Sequence, residues 1–174
     1  MAFASSIVDE YGGEVAHGTA GEVAVRGPNV FVEYWGNPQA TDEALRDGWY
    51  FSGDIGTRDA DGYFTIHDRK RNVIISGGEN VYAAEVERVL HEHAAVAEAA
   101  VVGRADPKWQ EVPVAYVVRK SGCDVSAQEL MRYVATQLAR FKVPREIVFV
   151  DTLPRNALGK VQHFVLKEQA NTEI

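Results

Sequence analysis

The sequence predicts an α+β protein in two parts: a β-rich stretch over residues 1–70 and a small domain over residues 71–174. Short alternating or β-branched runs indicate strands in both parts, whereas apolar residues at helical spacing are concentrated in the second. The charged run Asp68, Arg69, Lys70 and Arg71 separates the two. For the second part we expect a mostly antiparallel three-stranded sheet with flanking helices.

In the first part, residues 1–20 are polar and glycine-rich, and the alternation EVAVR at 22–26 predicts a strand. Asn37-Pro38 begins a short helix that runs to about residue 45, and Asp47-Gly48 is expected to end it. A short strand follows at 49–52. The turn sequence Asp59-Ala60-Asp61-Gly62 then predicts a β-hairpin between residues 54–57 and 63–67.

In the second part, the run at 73–75 predicts a buried strand, and Gly77-Gly78 predicts a turn into a helix over about 83–90. Ser126 and Glu129 form a capping-box pattern that begins another helix, and a short helix is expected near the end of the chain. Further strands are predicted at 96–102, where Gly103 is expected to end the strand, at 112–118 and at 147–150.

Composition narrows the classes of function. The formal net charge of -7 argues against nucleic-acid binding, and the single cysteine, Cys123, excludes an internal disulfide. The N-terminus does not have the pattern of a signal peptide, and no apolar run has the length of a membrane span, so a cytoplasmic location is expected. No Cys/His spacing predicts a metal site.

Several residues could contact a ligand. Asp54 lies between two glycines and could bind a vicinal diol such as a ribose, or it could bond its own backbone in a turn. Arg69 could clamp a ribose or phosphate, or pair with Asp68. Lys160, after Gly159, could place a mobile charge on a phosphate, although most loop lysines are solvated.

Two further features have open interpretations. The segment Gly77-Gly78-Glu79-Asn80 could offer free N–H groups to an anion near a helix N-terminus, or it could be a plain turn. Trp109, beside a polar loop, could be a core anchor or a surface along which a ligand lies. A locally basic segment has the same ambiguity between a solvated face and an anion site; it contains Arg140, Lys142, Arg145, Arg155 and Lys160.

The order of these motifs resembles the C-terminal part of the adenylate-forming superfamily, which contains acyl-CoA synthetases, peptide-synthetase adenylation domains and luciferases. The similarity extends from Gly21 to Leu166. Within this superfamily, the sequence resembles acyl- or aryl-CoA ligases in particular, in the segments SGGENVY and ARFKVPREIVFV and in the loop that contains Trp109. The matching runs are GEVAVRGPNVFVEYWGNPQAT, DGWYFSGDIGTRDADGYFTIHDR, VIISGGENVYAAEVE and LPRNALGKV.

The resemblance implies roles for the matching residues. Asp54 would hold the ribose hydroxyls of ATP, Arg69 would contact the same nucleotide, and Arg71 falls at the hinge about which the small domain rotates. Lys160 would bridge the carboxylate and the α-phosphate during adenylation. Residues implied to line the path of CoA are Gly77, Gly78, Glu79, Trp109, Phe141 and Arg145.

The sequence departs from the family at two positions and lacks three motifs. Arg71 stands where many relatives have Asp or Lys, and Val143 stands where some CoA ligases have a base. The family's phosphate loop, its aromatic-Gly-x-Thr-Glu motif and its acyl pocket lie outside this sequence. We therefore expect ATP, AMP and CoA as substrates and Mg²⁺ with ATP in the complete enzyme, but no tightly bound ligand and little activity for the chain alone.

The resemblance also bears on partners. The expected partner is an N-terminal adenylate-forming domain, which the chain either accompanies or complements in trans as a non-catalytic binding module. A truncated product with no role of its own is the third interpretation. The β-rich part would expose apolar side chains and so favour self-association; the candidates are Val23, Val25, Val30, Phe31, Tyr34 and Trp35.

Overall fold

The structure is a computed structural model that describes residues 3–172. It contains two compact units: the first ends at Arg71 and the second begins at Asn72. No helix among the described residues is long and apolar enough to cross a membrane.

The first unit contains an antiparallel sheet of five strands in the order β1-β2-β4-β3, with β5 also paired to β4. The sequence did not predict β1, because residues 1–20 are polar overall and only Ile7 and Val8 are an apolar pair. Both side chains are buried. The strands are β1 (Ala4–Val8), β2 (Gly21–Arg26), β3 (Leu45–Arg46), β4 (Trp49–Arg58) and β5 (Phe64–Arg69).

Helix α1 (Pro38–Ala44) begins as predicted, with the Asn37 side chain accepting a hydrogen bond from the Ala40 amide at 3.1 Å. The expectation that Asp47-Gly48 ends this helix is wrong. These residues have φ values of 51° and 78° and form the two-residue turn that joins β3 to β4. Positive φ at both central positions is the geometry that favours Asp-Gly in hairpins.

The predicted hairpin is confirmed. Strands β4 and β5 are antiparallel, and the Gly62 amide donates to the Asp59 carbonyl at 3.1 Å in the turn between them. The two short strands predicted at 49–52 and 54–57 are one continuous strand. Gly53, with a φ of 72°, lies where the register between this strand and β2 shifts.

The second unit has a sheet of five strands rather than the three predicted. Strand β9 is antiparallel to β6 and β8 and parallel to β10. The strands are β6 (Val73–Ser76), β7 (Glu79–Tyr82), β8 (Val96–Asp106), β9 (Gln110–Arg119) and β10 (Glu146–Phe149), and the helices are α2 (Ala83–Glu92), α3 (Ala127–Ala135) and α4 (His163–Thr172).

The turn at Gly77-Gly78 joins two strands, not a strand and a helix. Ser76 pairs with Glu79 across it, so β7 is a strand that the sequence did not predict, and α2 begins only at Ala83. Strand β6 is also only partly buried, since Ile75 is exposed between buried Ile74 and Ser76. Strand β8 continues through Gly103, which pairs with Pro113 instead of ending the strand.

The core of the second unit lies on both faces of this sheet. One face packs against α2 and α3 through residues such as Val86, Leu90 and Leu130, each fully buried. The other face packs against α4 through Leu166 and Ala170. Burying a leucine side chain stabilises a fold by about 1.5 to 3 kcal/mol, so the buried leucines on each face stabilise the packing of the helices against the sheet.

Candidate functional site

Asp54 and Arg69 face each other on the β4–β5 hairpin of the first unit. They are paired in the strand register, and Arg69 Nε lies 2.8 Å from Asp54 Oδ1. The Arg69 side chain is half exposed and that of Asp54 is 30% exposed, so a ligand can reach both. Arg69 thus pairs with Asp54 rather than with Asp68, although the Asp68 carboxylate accepts the Arg69 backbone N–H at 2.7 Å.

A buried carboxylate, which the sequence did not single out, holds the backbone next to Asp54. Glu22 Oε1 accepts the Gly53 amide at 2.9 Å, and Glu22 Oε2 pairs with Lys70 Nζ at 2.9 Å. The Glu22 side chain is only 8% exposed. A buried carboxylate with two such partners fixes the strand segments from which Asp54 and Arg69 project.

Aromatic side chains lie on the same part of the first unit. The ring centroids of Phe31 and Tyr34 are 4.6 Å apart, and those of Phe31 and Tyr50 are 5.2 Å apart. Burial, followed by a hydrogen bond with Tyr34, raises the pKa of the Tyr50 hydroxyl; Arg69 opposes this shift and Asp54 adds to it. The Asp54–Arg69 pair therefore lies within electrostatic reach of an aromatic cluster.

In the second unit, the Gly77-Gly78 turn packs directly against Trp109. The Gly77 amide donates to the Trp109 carbonyl at 2.8 Å, and a Cβ on Gly77 would lie 2.7 Å from Trp109 Cε3. Gly78, in contrast, has no atom within 4 Å of the position of a Cβ. The turn is therefore closed on the side of Gly77 and open on the side of Gly78.

The loop that carries Trp109 is held by one aspartate. Asp106 Oδ1 accepts the amides of Trp109 and Lys108 at 2.9 and 2.8 Å, and these two bonds lower the pKa of its carboxyl group. Arg145 contributes to the same shift. Lys108 Nζ lies 4.7 Å from the centroid of the Trp109 ring, and Trp109 is 37% exposed. Trp109 is therefore an accessible aromatic surface beside positive charge.

Arg145 and Phe141 occupy the segment before β10. The Arg145 amide donates to the Pro113 carbonyl at 2.8 Å, which fixes its backbone beside β9. Phe141 lies in the short 3₁₀ helix Arg140–Lys142, which contacts β7, and is 38% exposed. Because Lys142 pairs with Glu85 at 2.6 Å, it is not a free positive charge. The predicted residues thus cluster on β7, the Trp109 loop and the start of β10.

Lys160 lies in a tightly bonded loop before α4. Its amide donates to Asn156 Oδ1 at 2.9 Å, and its carbonyl accepts the Asn156 amide at 3.0 Å. The Lys160 side chain is exposed and makes no ion pair with another residue in the described range 3–172. An ordered backbone thus presents an ammonium group to solvent.

The described residues do not provide a metal site. No group of three or more His, Cys, Asp or Glu side chains between residues 3 and 172 could hold an ion. The carboxylates at the candidate sites, Asp54, Glu22 and Asp106, are paired with Arg69, Lys70 and backbone amides instead.

Comparison with known proteins identifies similar sequences. Residues 85–160 match the family described as the AMP-binding enzyme C-terminal domain. The indoleacetate–CoA ligase of Aromatoleum aromaticum is 48% identical over 156 residues, which are 90% of this chain and 31% of that protein. The 2-succinylbenzoate–CoA ligase of Geobacillus sp. is 47% identical over 167 residues, which are 95% of this chain and 34% of that protein.

A solved structure has the same fold. The o-succinylbenzoate CoA synthetase of Bacillus subtilis, in complex with the acyl-adenylate intermediate OSB-AMP, matches with a TM-score of 0.89 and 42% identity. The match covers 95% of this chain and 34% of that one. The chain therefore spans about a third of the length of the relatives it matches.

Proposed function

The chain belongs to the adenylate-forming superfamily, as the C-terminal portion of an acyl-CoA synthetase, and from that premise we propose that it supplies the nucleotide-contacting hairpin and the mobile lid of such an enzyme. The complete reaction has two steps. A carboxylate attacks the α-phosphate of ATP and releases pyrophosphate, and the thiol of CoA then attacks the acyl-adenylate and releases AMP.

Asp54 and Arg69 are proposed to hold the nucleotide. The Asp54 carboxylate has two oxygens, of which Oδ1 is bonded to Arg69. The remaining lone pairs can accept the two hydroxyls of a ribose, while the flanking Gly53 and the open surface allow a close approach. The Arg69 guanidinium has further N–H donors for a hydroxyl or phosphate oxygen.

Lys160 is proposed to stabilise the charge that develops during adenylation. Its ammonium group can contact both the attacking carboxylate and the α-phosphate, so that negative charge in the transition state is met by a positive charge already in place. This role requires a side chain that is exposed and unpaired before the substrate binds. The proposal mainly rests on one observation: Lys160 is exposed on an ordered loop and has no ion-pair partner among residues 3–172.

The second step is assigned to the cluster around Trp109. The open side of the Gly77-Gly78 turn offers room for the narrow pantetheine arm, and the exposed Trp109 ring offers an apolar surface beside it. Arg145 and Lys108 add positive charge for the phosphates of CoA. With Arg71 as the hinge, this cluster and Lys160 would serve the active site in turn.

The proposal also predicts that residues 1–174 alone do not complete the reaction. The phosphate loop and the acyl pocket must come from a body that precedes this region in a longer protein or is made as a separate chain. We expect no pyrophosphate release above background when the purified chain is given ATP and a panel of carboxylates. Robust turnover would contradict this part of the proposal.

The decisive experiment joins the chain to a suitable body. The first two thirds of the Geobacillus 2-succinylbenzoate–CoA ligase are fused ahead of this chain, which replaces the aligned third. The first step is measured as pyrophosphate release with 2-succinylbenzoate, and the second as thioester formation from the preformed acyl-adenylate and CoA. We expect both activities in the fusion.

Lys160→Ala should lower the first step of this fusion by about 100-fold or more, the usual effect of removing one transition-state donor, and leave the second within about twofold. The matched control is Lys120→Ala, which removes an exposed lysine from the turn after β9. Equal rates for the two variants, or an inactive fusion that is folded by circular dichroism, would contradict the proposal.

A second candidate is a binding module that docks on a separate partner without catalysing either step. The observation in its favour is the exposed apolar segment of the first unit, where Trp35 is 95% and Val32 is 87% exposed. Val23, Val25, Val30 and Phe31 are half-buried, so the apolar surface is narrower than the sequence suggested. Co-purification of the chain with a protein that carries the missing motifs would support this candidate. If light scattering instead shows that the purified chain is a monomer, the prediction that it associates with itself is wrong.

A further inference from the structure

The loop that carries Lys160 is held in shape by three side chains that are not among the proposed catalytic and binding residues. They are Asn156, Arg155 and Glu98, and they act on the loop from within and from the neighbouring strand β8. This inference rests on the proposed function of Lys160.

Asn156 closes the loop on itself. Its side-chain oxygen accepts the amides of Leu158 and Lys160 at 3.0 and 2.9 Å, and its carbonyl accepts the Gly159 amide at 2.9 Å. Its own amide donates to the Lys160 carbonyl at 3.0 Å. Lys160 is therefore bonded to Asn156 through both of its backbone polar groups, which fixes the direction of its Cα–Cβ bond.

Arg155 ties the same loop to the sheet. Its Nη1 donates to the Gly159 carbonyl at 2.6 Å, and its Nη2 pairs with Glu98 on β8. One guanidinium thus joins the residue before Lys160 to a strand in the core of the second unit. Arginine makes the two contacts through two different nitrogens of a planar fork, so lysine, with a single nitrogen, is not expected to reproduce the same geometry.

We propose that Asn156 and the Arg155–Glu98 pair are positioning residues that hold the Lys160 ammonium group ready for the adenylation step. A flexible lysine loses side-chain and backbone freedom when it binds two charged groups, and that loss slows the reaction. The loop removes the backbone part of this loss before substrate arrives. Leu158 lies in the same loop with 92% of its surface exposed, which makes it a matched control.

The first test uses the full chain and does not depend on activity. Amide hydrogen exchange is measured by NMR for Leu158 and Lys160 in the wild type, Asn156→Ala, Asn156→Asp and Leu158→Ala. Loss of the shared acceptor should accelerate exchange at both amides about fivefold or more in Asn156→Ala. Asn156→Asp keeps an oxygen acceptor and should remain near the wild type, as should Leu158→Ala. Unchanged exchange in Asn156→Ala would overturn the proposed loop structure.

The second test uses the fusion described above. Asn156→Ala and Arg155→Lys should lower kcat of pyrophosphate release about 5- to 50-fold and leave thioester formation from the preformed adenylate within twofold. Asn156→Asp should restore most of the loss. If Lys160→Ala abolishes adenylation but Asn156→Ala does not change it, positioning is refuted while the role of Lys160 stands. If Lys160→Ala has no effect, the proposed function itself fails.

Discussion

The contact between Gly77 and Trp109 yields a prediction whose magnitude follows from the structure. Gly77 and Gly78 have φ values of 62° and 85°, so alanine at either position must adopt a left-handed conformation. That conformation costs an L-residue about 1 to 2 kcal/mol. The two sites differ in their surroundings: a Cβ at Gly77 lies 2.7 Å from Trp109 Cε3, and a Cβ at Gly78 meets nothing within 4 Å.

Gly77→Ala should therefore lower the free energy of unfolding of the second unit by more than Gly78→Ala does. Displacement of the Trp109 ring adds about 1 to 3 kcal/mol, the usual range for an overpacked site. We expect a total loss of about 2 to 5 kcal/mol for Gly77→Ala and about 1 to 2 kcal/mol for Gly78→Ala. The difference is the effect of the indole ring alone.

Amide hydrogen exchange of β9, measured by mass spectrometry on the full chain, reports this difference. An extra 1 to 3 kcal/mol corresponds to roughly 5- to 150-fold faster exchange, since about 1.4 kcal/mol is a factor of ten. In a Trp109→Ala background the two glycine substitutions should become equivalent. Equal effects of both substitutions in the wild-type background, or a difference that persists without Trp109, would refute the reasoning.

Two further predictions concern the carboxylates that hold the sites in shape. Because amides of Trp109 and Lys108 lower the pKa of Asp106, the charged form stabilises the folded state above the unfolded value of 3.8, and this stabilisation is lost as pH falls through the lower folded pKa. Thermal unfolding from pH 2 to 7 should show a smaller acid-induced decrease in Tm for Asp106→Asn; parallel curves would contradict this. Glu22→Gln keeps an acceptor for the Gly53 amide but loses the ion pair with Lys70. It should lower the free energy of unfolding of the first unit by about 1 to 2 kcal/mol, measured by urea unfolding. An unchanged free energy would show that the ion pair does not stabilise this unit.

Local patterns predicted the elements whose stability is itself local. The spacing of Val86, Val89 and Leu90 predicted α2, and all three side chains are fully buried against the sheet. Ser126 caps α3 as its sequence pattern indicated, with its hydroxyl oxygen accepting the Glu129 amide at 3.2 Å. These features need only a few consecutive residues and one apolar face to form.

The turns were harder to predict, because glycine has several uses. Asp47-Gly48 could end a helix or join two strands, and Gly77-Gly78 could lead into a helix or into a strand. The outcome depends on the flanking residues: Leu45 pairs with Tyr50, and Ser76 pairs with Glu79. Both β3 and β7 are short and gain their stability from the sheet that they join, which no local pattern contains.

The residues of the candidate sites also fall into two groups: those in local motifs, which the sequence identified, and those that support them from distant parts of the sequence. Asp54, Arg69 and Lys160 belong to recognisable motifs, whereas Glu22 is 31 residues from the Gly53 amide that it accepts and 48 residues from Lys70. Glu98 is likewise 57 residues from Arg155. Supporting residues of this kind are found only when the fold brings distant segments together. The sequence could therefore identify candidate ligand-contacting residues but not the residues that hold them in place.

The charged run at the end of the first unit bears on the hinge that is proposed at Arg71. Asp68 is buried and accepts the Arg69 amide, Arg69 pairs with Asp54, and Lys70 pairs with the buried Glu22. Each of these three residues is thus bonded to another residue of the first unit. Among residues 3–172, Arg71 makes no ion pair, and the second unit begins at the next residue. A hinge at Arg71, as proposed, would leave all three contacts intact, because Arg71 follows the residues that make them.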